Sequence, residues 1–189
     1  NQCLQVLVAD LDHDRDVDLI VLNESAPHDV YVNERLWSWR PGGDDYAAFT
    51  AASVTAAVAG DIDSDGVLSI CTAGAGGIEW WNPGSDGRWS PSSAALDVVG
   101  VRPDRLALVD MTGDGRLDLL VSGATGWYLA TTGVDATVLM KADAAGPCAA
   151  PLLLDPMHGC SFAVAQSGRM IVYPPGDGRY RFASLRFTG

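Results

Sequence analysis

Val6-Leu7-Val8-Ala9-Asp10-Leu11-Asp12 returns as Ala57-Val58-Ala59-Gly60-Asp61-Ile62-Asp63, as Leu106-Ala107-Leu108-Val109-Asp110-Met111-Thr112 and, in trace, as Leu152-Leu153-Leu154-Asp155. The anchoring aspartates, Asp10, Asp61, Asp110 and Asp155, stand 51, 49 and 45 residues apart, an interval that marks a repeat architecture. A second apolar run follows each aspartate, at 17–22, 67–72, 117–121 and 162–165. A third carries an aromatic: Val30-Tyr31-Val32-Asn33, Ile78-Glu79-Trp80-Trp81-Asn82, Gly126-Trp127-Tyr128-Leu129 and Met170-Ile171-Val172-Tyr173. These runs are short, rich in Val, Leu and Ile, and bounded by Gly, Asn and Asp, so they read as buried strands. Turns at Gly84-Ser85-Asp86-Gly87-Arg88-Trp89 and Gly176-Asp177-Gly178-Arg179-Tyr180 then lead into an outer strand, with Asp-Gly supplying the positive φ of a tight hairpin.

Each unit therefore offers four short antiparallel strands, the size of one propeller blade. A four-stranded sheet has two faces and cannot cover both alone, so the units must pack on one another about a common axis. The expected fold is all-β, a β-propeller of four-stranded antiparallel blades. Four units, about 1–49, 50–99, 100–144 and 145–189, form one domain or a portion of a larger ring.

Chemistry concentrates in the loops after the first strands. Counting the anchoring aspartate as position 1, the first loop has Asp10, Asp12, Asp14, Asp16 and Asp18 at positions 1, 3, 5, 7 and 9. The second has Asp61, Asp63, Asp65, Gly66 and Ser69 at 1, 3, 5, 6 and 9. The third has Asp110, Thr112, Asp114, Gly115 and Asp118 at the same five positions. Eleven of the 24 acidic residues sit in these loops, a concentration that solvated turns do not explain and a hard divalent cation with 6–8 oxygen ligands does. The Asp-x-Asp-x-Asp-Gly opening matches a helix-loop-helix calcium loop, but position 12, where that motif needs glutamate, is Val21, Thr72 and Val121, and the flanks are strand-like.

Asp-x-Asn/Asp-x-Asp-Gly-x-x-Asp between two strands, repeated at blade spacing along essentially the whole chain, resembles the FG-GAP or VCBS repeats of integrin-α-like propellers. The resemblance implies Ca²⁺ held by side chains at positions 1, 3, 5 and 9 and by the backbone carbonyl at position 7, here Asp16, Val67 and Arg116. About three Ca²⁺ sites are expected. Arg15 stands at the glycine position of loop one, and Ser69 replaces the closing acid of loop two. The fourth unit keeps only Asp155, followed by Pro156-Met157-His158-Gly159, and is expected to hold no metal.

The net charge of -12 argues against nucleic acid and anionic membranes as partners. No stretch reaches the roughly 18 apolar residues of a membrane-spanning helix. Cys3, Cys71, Cys148 and Cys160 show no C-x-x-C spacing, and only Cys148 and Cys160 are close enough to suggest a local disulfide. His13, His28 and His158 form no catalytic or metal pattern and read as surface loop residues. Trp80 and Trp127 read as core; Trp37, Trp39 and Trp89 read as exposed. Asn23-Glu24-Ser25 fits a glycosylation sequon. The expectation is a non-enzymatic, extracellular, periplasmic or cell-surface module that binds a protein partner, as the integrin-α resemblance implies. The alternative is a carbohydrate-binding propeller or the non-catalytic domain of a polysaccharide-active enzyme. An active site in a central channel has no catalytic constellation in the sequence to support it.

Overall fold

The computed structural model describes residues 2–92, 96, 103–132, 136–142, 148–155, 159–166 and 168–174. The first sheet is β1 (Cys3–Ala9), β2 (Asp18–Asn23), β3 (Asp29–Asn33) and β4 (Trp39–Pro41), paired antiparallel in chain order. The second, β5 (Val54–Gly60), β6 (Ser69–Gly74), β7 (Gly77–Pro83) and β8 (Trp89–Ser92), repeats this arrangement. So does the third, β9 (Pro103–Val109), β10 (Asp118–Gly123), β11 (Gly126–Ala130) and β12 (Val138–Ala142). The last sheet has three strands among the described residues, β13 (Cys148–Asp155), β14 (Gly159–Gln166) and β15 (Arg169–Tyr173). The outer strand expected after the turn at 176–180 lies outside the described residues, as do Pro156, Met157 and His158.

The repeat is one of register as well as of sequence. Ala9 pairs with Asp18, Gly60 with Ser69 and Val109 with Asp118, so each aspartate loop leaves and re-enters its sheet at the same rung. Because side chains alternate across a strand, each sheet carries two apolar faces, and strands covered on both sides read as unbroken apolar runs. In β10 every residue is buried.

Among the described residues, three cores lie between successive sheets. Leu7, Ile20, Leu22, Val30 and Val32 of the first sheet meet Ala57, Ile70 and Trp81 of the second. Cys71, Ala73, Ile78 and Trp80 on the second sheet's other face meet Leu119, Val121, Tyr128 and Ala130 of the third. Val109, Leu120, Trp127 and Leu129 meet Phe162 and Val164 of the last. Trp127 and Phe162 pack edge to face at 4.9 Å. The inner strands β1, β5, β9 and β13 together line an open cavity of about 810 Å³ through Gln5, Thr55, Arg105, Ala107 and Ala150.

Several side chains differ from the sequence expectation. A 3-10 turn (Gly43–Tyr46) and helix α1 (Ala47–Thr50) fold back between the first two sheets and bury Tyr46 and Phe49. Tyr46 stacks on Trp89 at 5.8 Å, so Trp89 is core rather than surface. Phe49 meets Trp81 edge-on and also lies beside His28, which is buried, with Nδ1 accepting the Asn23 N–H. Burial of the imidazole pushes its pKa below the usual histidine value. Asn23 is buried too, its side-chain amide donating to the Pro27 carbonyl and Asp29, so the sequon is not presented to solvent. Cys160 is a free thiol and the local disulfide is not formed. Trp80 and Trp127 are core and Trp37 and Trp39 are exposed, as expected.

Candidate metal centre

The three aspartate loops have one backbone shape. Position 4 is left-handed in each, at His13 (φ 61°), Ser64 (φ 61°) and Gly113 (φ 71°). Position 6 is left-handed as well, at Arg15 (φ 74°), Gly66 (φ 84°) and Gly115 (φ 88°). Glycine tolerates this conformation at position 6; Arg15 adopts it at a cost of about 1–2 kcal/mol. The two reversals wrap the chain around the position-1 carboxylate, whose Oδ2 accepts the position-6 N–H: Arg15 to Asp10 at 3.1 Å, Gly66 to Asp61 at 3.1 Å and Gly115 to Asp110 at 3.0 Å. The position-5 carboxylate accepts the position-7 N–H, from Asp16 to Asp14 at 2.9 Å, Val67 to Asp65 at 2.7 Å and Arg116 to Asp114 at 2.9 Å.

Position 9 ties the loop to its sheet. Asp18 is fully buried; one oxygen accepts the Leu11 N–H at 2.7 Å and the other the Asn33 N–H at 2.8 Å. Asp118 is 2% exposed and accepts the N–H groups of Met111 at 2.8 Å and Thr112 at 2.9 Å. Burial pushes both carboxyls above the usual aspartate pKa; the backbone donors oppose this, and the neighbouring loop aspartates add to it. Each is thus a desolvated carboxylate short of positive charge. In loop two Ser69 holds this position and donates its hydroxyl to Asn82.

Some of the carboxylates converge in two of the three loops. Oxygens of Asp10, Asp12 and Asp18 lie within 4.8 Å of one another, and so do those of Asp61, Asp63 and Asp65. In loop three Thr112 stands at position 3, so no such acidic trio occurs there among the described residues. Of the seven buried side-chain nitrogens and oxygens without a hydrogen-bond partner among the described residues, two lie in these loops: Asp10 Oδ1 and Thr112 Oγ1. Orphaned buried oxygens are costly unless a ligand completes them, and the donor chemistry of these loops, all hard oxygen, suits a calcium-type cation. The residues therefore fit the ion that the spacing implies.

The sequence reading missed what lies beside loop one. Arg35, on the β3–β4 hairpin, donates from Nε to Asp16 Oδ2 at 2.7 Å and from a terminal nitrogen to the Asp14 carbonyl at 3.0 Å. Its backbone and those of Leu36 and Trp37 are all left-handed, and the last two side chains stand almost wholly in solvent. Three consecutive non-glycine residues in this region carry about 1–2 kcal/mol of strain each. Only Asn33, which accepts the Arg35 N–H at 3.0 Å, hinted at such a turn.

The comparisons with known proteins agree with this architecture. No curated protein matches the sequence. In structure the chain is similar to a lectin from Agrocybe aegerita, described for its recognition of non-reducing terminal N-acetylglucosamine, with a TM-score of 0.57 and 20% identity. The likeness covers 92% of this chain and 53% of the lectin, so the chain spans about half the lectin's length. At that identity it is a likeness of fold. The model of the FG-GAP-like repeat matches residues 61–121, from the first position of loop two into the strand after loop three. Residues 61–121 thus match an FG-GAP-like repeat, set in an all-β chain of propeller-like blades.

Proposed function

We propose that this chain is a calcium-stabilised, non-enzymatic recognition module of the extracytoplasmic space. The supporting observation is the pair of orphaned buried oxygens, Asp10 Oδ1 and Thr112 Oγ1, in loops of common shape, each closed by a buried aspartate. Asp10, Asp12, Asp14 and Asp18 would hold one ion with the Asp16 carbonyl; Asp110, Thr112, Asp114 and Asp118 would hold another with the Arg116 carbonyl. Asp61, Asp63 and Asp65 would hold a third with the Val67 carbonyl and a weaker contribution from Ser69. Bound Ca²⁺ supplies charge compensation and fixes each loop against its sheet; the blades then present a rigid surface. Mg²⁺ suits these loops less, because it demands a rigid octahedron and keeps its waters. Three ions would halve the net charge of -12.

The surface so fixed serves a protein partner in the first reading. The glycan reading draws on the lectin likeness and on the exposed Trp37 indole. Calorimetric titration of the chelator-treated protein counts the ions: two tight sites and one weaker are expected, and no calcium heat would sink the proposal. Quenching or shifting of tryptophan fluorescence by N-acetylglucosamine, against glucose as control, supports the glycan reading; unchanged emission with both sugars counts against it.

A further inference from the structure

Thr132 touches two of the aspartate loops at once. Its hydroxyl donates to the Leu117 carbonyl, at position 8 of loop three, and lies 3.2 Å from the Ile62 carbonyl, at position 2 of loop two, as a donor shared between them. Both carbonyls stand between ligand positions: Ile62 between Asp61 and Asp63, and Leu117 between Asp118 and Arg116, whose carbonyl would face the ion. The hydroxyl is itself held in place. Threonine is stiff at χ1, and the preceding residue is fastened twice to Thr137: the Thr131 N–H donates to the Thr137 carbonyl, and the Thr131 hydroxyl accepts the Thr137 N–H, each at 2.9 Å.

The first two sheets lack this link among the described residues. Position 10 of the three loops pairs with Tyr31, Trp81 and Ala130, so Asn33 and Pro83 stand where Thr132 does. Asn33 donates from Nδ2 to the Val17 carbonyl of its own loop and accepts the Arg35 N–H within its own hairpin. Pro83, the residue of the second sheet that matches Thr132 and would have to reach back to loop one, has no proton to donate.

We propose that Thr132 couples loops two and three, so that an ion in either strengthens binding in the other, while loop one fills independently. The inference rests on the calcium reading of these loops. An ion in loop three fixes the peptides on either side of Leu117 and with them the Thr132 hydroxyl. The hydroxyl then holds the Ile62 carbonyl, and Asp61 and Asp63 close on their ion with less freedom left to lose. Coupling through ordering requires no rearrangement of the blades, and it is reciprocal. Loop two, which lacks the closing acid, thereby draws part of its affinity from its neighbour.

The test is calcium calorimetry of the full chain. Asp10→Asn, which disables loop one, leaves the affinity of loop two unchanged. Adding Asp110→Asn, which disables loop three, weakens loop two about fivefold. Thr132→Val keeps the side-chain shape and removes the hydroxyl; in that protein loop two binds equally with loop three intact or disabled, and Thr132→Ser restores the difference. Calcium binding in which loop two is indifferent to loop three overturns the coupling and leaves the calcium reading standing. A fivefold difference that survives Thr132→Val overturns the role of the hydroxyl. An equal loss on disabling loop one marks general loosening of the fold and also overturns the proposal, and no calcium heat in the parent chain overturns both the coupling and the reading beneath it.

Discussion

In the first and third loops the ninth residue is an aspartate sealed beneath its own loop, whereas in the second it is Ser69, whose hydroxyl is donated to Asn82. The three backbones are otherwise alike, down to the left-handed residues at positions 4 and 6. Loop shape therefore does not require the buried acid. What the acid changes is the charge balance. Asp18 and Asp118 are desolvated next to other carboxylates, and their loops contain the orphaned oxygens of Asp10 and Thr112; loop two has neither feature. Loops one and three should depend on a cation for stability, and loop two should tolerate its absence.

Removing the acid gives the largest expected effect. Asp18→Ala or Asp118→Ala strands one or more buried N–H groups, at about 1–3 kcal/mol. It would also forfeit the proposed ion, worth about 2.7 kcal/mol at one hundred times its dissociation constant. A loss of about 4 kcal/mol in denaturant titrations with calcium is predicted, against about 1 kcal/mol for Ser69→Ala. Equal losses would erase the distinction between the loops. The converse substitution, Ser69→Asp, should tighten the second site about tenfold in a calcium titration, or about 1.4 kcal/mol, and lower the melting temperature in chelator.

Acidity offers a third, smaller contrast. A carboxyl whose pKa is raised on folding contributes stability that is present below its unfolded value, 3.8 for Asp18 and Asp118, and lost as pH rises through the folded value. In chelator these two groups should therefore favour the folded state on acidification toward that range. With calcium the trend reverses, because protons compete with the ion. The calcium-induced rise in melting temperature should shrink steadily as pH falls from neutral; a rise independent of pH would speak against carboxylate ligation. Smallest of all, Arg15→Gly relieves left-handed strain of about 1–2 kcal/mol but gives the unfolded chain more freedom, worth about 0.4–1 kcal/mol. A net gain under about 1 kcal/mol is expected in a thermal melt.

The recurrence of aspartate after an apolar run was enough to place the strands and loops, because period-2 burial and loop chemistry both act within a few residues. Asp18 and Asp118 were legible as closing acids, but not their depth of burial, which depends on backbone donors such as Asn33, fifteen residues beyond Asp18. Longer-range packing was hidden. Trp89 looked like a turn aromatic until the segment from Gly43 to Thr50 folded over it, and His28 looked like a loop residue until Phe49 covered it. Arg35 was invisible as a partner of loop one because nothing in its own neighbourhood points back to Asp14 and Asp16.

The most direct test of calcium as the element that fixes these blades is a thermal melt of the full chain in chelator, in millimolar Mg²⁺ and in millimolar Ca²⁺. A rise with Ca²⁺ well above that with Mg²⁺, abolished in large part by Asp18→Ala combined with Asp118→Ala but hardly by Ser69→Ala, is the predicted result. Identical melts in all three solutions would contradict it and reduce the aspartate loops to acidic turns.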